Sequence, residues 1–97
     1  YMSTVTKSVS AENTWSDPLE VLNDFDLSIS GTFVGTVTVQ RSFDGGSVWR
    51  DVDTFTSPIE TSGFQPSFSN YRVGINTGDY TSGTAVVTLI DNNLSQR

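Results

Sequence analysis

Apolar side chains recur at every second position along much of this chain, in short runs broken by turn residues. That is the pattern of half-buried β-strands. In residues 3–10, Val5 and Val9 share one parity and Thr4, Thr6, Ser8 and Ser10 the other. In the next run Leu19, Val21, Phe25, Leu27 and Ile29 hold the odd positions, and Asn23-Asp24 reads as a turn or bulge. Pro18 ahead of it removes a backbone donor and marks a break or an edge. Gly31 and Gly35 bracket a connection into residues 35–43, where Val37, Val39 and Phe43 share a face. Arg41 falls on that same parity, which places it at the sheet's rim. Asp44-Gly45-Gly46 turns the chain and residues 48–55 return, a β-hairpin. Residues 56–70, punctuated by Pro58, Gly63 and Pro66, read as a loop with one short edge strand. Tyr71, Val73 and Ile75 then alternate with polar or small residues, and residues 77–83 read as a turn-rich loop. In residues 84–90 both parities are apolar, Val86 and Ile90 against Ala85, Val87 and Leu89, so this strand is central or lies at an interface.

These segments predict an all-β fold: a single small β-sandwich or flattened barrel of about seven strands, mostly antiparallel. Residues 1–11 form an amino-terminal strand or arm, 12–91 the sandwich and 92–97 a polar tail. The expected core is Phe25, Leu27, Val37, Val39, Trp49, Tyr71, Val73, Val87 and Leu89. Composition agrees. Ser and Thr supply 27 of 97 residues and Val 11, while Ala appears twice and Lys once. Such a chain favours strands over helices, and its length allows one modest core.

The absence of Cys and His removes disulfides, ordinary zinc sites and Ser–His–Asp triads. Net charge is −6, and Lys7, Arg41, Arg50, Arg72 and Arg97 are never adjacent. A nucleic-acid footprint needs a clustered basic face, so no nucleic-acid partner is expected. No run approaches the roughly 20 apolar residues of a membrane-spanning helix, so no membrane partner is expected either. The first residues lack the apolar core of a secretory signal, and Tyr1 before Met2 is unusual for a native start.

Ser42-Phe43-Asp44-Gly45-Gly46-Ser47-Val48-Trp49 resembles the Asp-box of sialidases and other β-rich proteins. Ser42, Asp44, Gly46 and Trp49 match, and Val48 replaces the usual Thr. The resemblance implies a hairpin brace: Asp44 accepts backbone N–H groups, Gly45 and Gly46 tolerate positive φ, and Trp49 packs behind. Asp24/Asp26 and Asp51/Asp53 stand at i, i+2 and would share a strand face. Such pairs could hold calcium or serve glycoside hydrolysis, against the plainer reading of a solvated face. Trp15, Trp49, Tyr71 and Tyr80 are the candidate sugar platforms, and Tyr80 stands out for its polar surroundings.

The run Gly31-Thr32-Phe33-Val34-Gly35-Thr36-Val37-Thr38-Val39-Gln40-Arg41-Ser42-Phe43-Asp44-Gly45-Gly46-Ser47-Val48-Trp49 resembles a family of small tailed-phage virion proteins. Trp15-Ser16-Asp17-Pro18-Leu19, Tyr71-Arg72-Val73-Gly74 and Thr77-Gly78-Asp79-Tyr80-Thr81-Ser82-Gly83-Thr84 are similar to the same family. The likeness spans about 75 of the 97 residues. It implies a virion structural protein, foremost a head decoration (cement) protein with the major capsid protein as partner, present as a homo-oligomer or in many copies. It brings no catalytic residues and no cofactor. Partner contacts are expected from the amino strand (Val5, Lys7, Val9) and the later loop (Asp79, Tyr80, Thr81). The competing reading is a tail-associated or carbohydrate-binding sandwich, marked by a line of coplanar exposed aromatics.

Overall fold

The computed structural model describes residues 3–91. The unusual Tyr1-Met2 start and the polar tail expected over 92–97 lie outside the described residues. Seven strands follow in chain order: β1 (Ser3–Val9), β2 (Thr14–Trp15), β3 (Leu19–Gly35), β4 (Val37–Ser42), β5 (Arg50–Phe55), β6 (Ile59–Ile75) and β7 (Tyr80–Asp91). They form one sheet in the order β1-β7-β3-β6-β4-β5, with β2 paired to β6. Every pairing is antiparallel. The all-β expectation holds, and the sheet curls like a sandwich without closing into a barrel.

The curl comes from two strands of 17 residues, β3 and β6, each of which changes partner along its length. The first part of β3 lies against β6, and from Phe25 onward it also lies against β7. The first part of β6 lies against β3, and residues 70–74 pair with β4. Sheets twist with one hand, so a strand that runs from one partner to the next carries the surface around. The apolar parities of both halves then meet inside. Val9, Val21, Ile29, Val37, Val73, Ile75, Val87 and Leu89 are all essentially inaccessible and belong to one cluster.

Asn23 takes a positive φ of 63°, and the β3–β6 register skips between Val21 and Asn23. This is the bulge that the Asn-Asp pair suggested. Residues 66–68 occupy the same gap on β6, between Gln65 and Ser69. Pro66 therefore sits where the ladder needs no donor.

Several expectations change. Residues 56–70 are chiefly strand, because the ladder to β3 organises them and burial does not: Ile59 through Ser62 are all exposed. Gly31 and Gly35 lie within β3 and do not bracket a connection. The return strand of the hairpin starts at Arg50, two residues later than expected. The loop expected over 77–83 is shorter, since β7 already begins at Tyr80. Asp79 N–H donates to Asn76 O at 3.1 Å to close that turn. Trp49 is half-buried and outside the core cluster, whereas the other eight expected core residues are buried.

Candidate functional site

The β4–β5 hairpin is braced by side chains. Ser42 Oγ donates to Asp44 Oδ1 at 2.7 Å and accepts from Gly46 N–H at 2.9 Å. The same Asp44 oxygen accepts from Ser47 N–H at 3.1 Å and Val48 N–H at 2.9 Å. The Ser42 hydroxyl, then the Val48 N–H, hold the Asp44 carboxyl below the usual carboxylate range. Gly45 and Gly46 both take positive φ, 78° and 103°, as the turn requires. The brace implied by the Asp-box resemblance is present, with Trp49 placed differently.

Trp49 leaves the hairpin for a second feature, the stack around Arg72. The Arg72 guanidinium lies 4.5 Å from the ring centroids of both Trp15 and Trp49. Its Nε donates to Gln40 Oε1 at 2.9 Å, and Gln40 Nε2 donates to Asp51 Oδ1 at 2.8 Å. Burial lowers the Arg72 pKa, and Arg at its unperturbed value is so basic that it stays charged at neutral pH. The stack ties β2, β4, β5, β6 and the hairpin together on the face opposite the core. Strand β2 reaches this position because Gly74 has no side chain: a Cβ there would collide with the backbone of Thr14 and Trp15.

This arrangement bears on the sugar platforms. Trp15 and Trp49 each have the guanidinium against the ring, and both are half-buried. Tyr71 is buried, packed on Phe25 at 4.7 Å with its hydroxyl donating to Gln65. Tyr80 is half-buried against the core, and its hydroxyl donates to Gly83 O at 2.9 Å. No coplanar exposed row forms from these four rings.

The acidic pairs also change. The β4–β5 register shifts between Val39 and Gln40, so Asp51 stands opposite Gln40 while Asp53 stands opposite Val39. Consecutive residues of β4 point to opposite faces. The bulge at Val52 therefore splits Asp51 from Asp53, where unbroken alternation would have kept them together. Asp24 and Asp26 remain at i, i+2 beyond the Asn23 bulge. Among the described residues, no three acidic side chains gather where a metal could sit.

Of the expected contact residues, Lys7 and Thr81 are exposed, Val5, Asp79 and Tyr80 half-buried, and Val9 fully buried. Val9 is thus corrected from contact to core: it faces its own interior while β1 stays paired to β7. Thr36 N–H donates to Asp79 O, and Gly78 N–H donates to Glu12, so the 76–79 turn is tied down on two sides.

The margin at β5 is the feature that sequence reasoning missed. Arg50 through Thr54 are all exposed, and β5 pairs only with β4. Phe43 is 72% exposed and Phe64 63%. Beside β5 opens a groove of about 200 Å³, lined by Val52, Asp53 and Phe55 on one side and residues 61–64 on the other, over Phe25 and Tyr71. Consecutive lining residues mean that the groove runs along the backbone edge of β6.

Comparison with protein-family models, curated proteins and solved structures finds no match to this chain.

Proposed function

We propose that this chain is a non-enzymatic structural module of a phage particle, most specifically a decoration protein on the assembled head. The observation that supports the reading is the unclosed sheet, which leaves strand edges and large apolar side chains available at its β5 end. The phage-like sequence pattern supports it from a separate direction. Such a module acts by mass action: binding only the assembled shell stabilises that shell by the free energy of binding. A patch of about 800 Å² per contact is ordinary for a specific interface. Many weak contacts on one particle then add up through avidity. The partner under this reading is the major capsid protein.

Quantitative mass spectrometry of purified particles tests it. Hundreds of copies per particle, released when heads are dissociated, is the expected result. A handful of copies that co-purify with tails would move the chain to the tail, and absence from particles would overturn the reading.

A further inference from the structure

We propose that the β5 margin pairs with the β5 margin of a second copy, antiparallel, about a two-fold axis normal to the sheet. Among the described residues no strand lies on the outer side of β5. The argument that selects a second copy is charge. The register places Arg50 opposite Arg41 and Asp53 opposite Val39. Arg41 and Val39 share a parity, so Arg50 and Asp53 lie on one face of β5 although they are three residues apart. The bulge at Val52 brings this about; without it they would point to opposite faces.

An antiparallel strand added to that edge keeps faces matched. With Arg50 set opposite Asp53 of the second copy, symmetry sets Asp53 opposite Arg50, and two ion pairs form from one. The same register places Asp51 beside Val52. The opposite margin, β1, offers no such match. Lys7 is its one charged residue, so self-pairing there forms no ion pair in any register, and the register centred on Lys7 sets two ammonium groups against each other.

Apolar exposure points to the same margin. Of the seven exposed large apolar residues, Phe43, Val48 and Val52 lie on the β4–β5 hairpin, and Ile59, Phe64 and Phe68 on the first part of β6. A second copy seated at β5 would cover part of this surface and close the groove. The inference stands apart from the phage reading and survives its failure.

Sedimentation velocity over a concentration series, at low and high salt, tests the pairing. The unmodified protein is expected to form a dimer that salt weakens. Arg50→Asp and Asp53→Arg should each weaken it by at least about tenfold, since each creates two like-charge contacts. The double variant, Arg50→Asp with Asp53→Arg, should recover most of the loss. Both residues are exposed, but the Asp53 carboxylate also accepts from Thr54 N–H at 2.9 Å, so the unfolding midpoint of each single variant is measured beside its sedimentation. On the unmodified protein, amide exchange over residues 51–55 should slow with concentration while that of β1 stays constant. A monomer at every concentration, single variants that dimerise normally, or open-ended growth in place of a dimer would overturn the proposal. Open-ended growth is the signature of β5 meeting β1.

Discussion

The two strands at the ends of the sheet order are held differently. At one end β1 lies along β7 in seven consecutive pairs, from Ser3 opposite Asp91 to Val9 opposite Ala85. Its inward parity is anchored by Val9, fully buried, and by Val5, packed against the same cluster. At the other end β5 is nearly all exposed and carries a bulge; it is held by the β4 ladder, by the Gln40–Asp51 bond and, at its last residue, by Phe55 against the cluster. Margins of the first kind are held by burial, which is worth about 25 cal/mol per Å². Those of the second kind are held by hydrogen bonds, worth about 1 kcal/mol each. The difference teaches that a strand can be fixed in place with a single apolar anchor, Phe55, and that the exposed remainder is free to meet something else.

Substitutions at four positions probe that contrast. The largest effect is expected at the buried margin. Leu89→Ala, beneath β1, should cost about 2–5 kcal/mol in urea unfolding, because a fully buried Leu leaves a cavity. A cost under about 1 kcal/mol would mean that the β1 side is looser than described.

Next comes the stack that holds the β5 side. Arg72→Ala removes two ring contacts and should cost about 1–2 kcal/mol. Tryptophan emission should shift to the red as Trp15 and Trp49 meet water. Arg72→Lys should restore only part, because an ammonium cannot lie flat between two rings.

Smaller still is Asp44→Asn, which keeps an acceptor and removes the charge. Asp44 titrates lower when folded than when unfolded. Its contribution is therefore complete above the unfolded value of about 4. It is lost as pH falls through the lowered folded value. The Asn variant should flatten that acid limb of the stability profile, read by exchange at the Ser47 and Val48 amides.

The smallest change belongs to the exposed margin. Val52→Thr should alter stability by no more than about 0.5 kcal/mol. A large loss there would show that β5 is buried in some way its exposure does not reveal.

Much of the fold was legible because burial writes itself into the sequence. The period-two runs through Leu19–Ile29, Val37–Val39, Tyr71–Ile75 and Ala85–Leu89 all mark buried faces, and each is found where expected. The first part of β6 was illegible for the converse reason. A strand fixed by its backbone ladder, with both faces open, has no apolar alternation to read. Pro66 deepened the misreading, since nothing local shows that it stands opposite a bulge. The hairpin brace was legible from Ser42, Asp44, Gly45 and Gly46, which act within five residues of one another. Trp49 was not, because its partner Arg72 lies 23 residues away in sequence. The separation of Asp51 from Asp53 was hidden for a similar reason: a bulge is a property of two strands, and one strand alone does not display it.

Ser3 and Asp91 face each other in the ladder, and antiparallel partners lie about 5 Å apart. A short peptide bridge could therefore weld them covalently, and the exposed link at 56–58 could be cut to compensate. The permuted polypeptide would emerge from the ribosome in a new sequence of segments yet raise the same wall. Whether it does so would reveal if the long middle strands must be made before their neighbours, or merely alongside them.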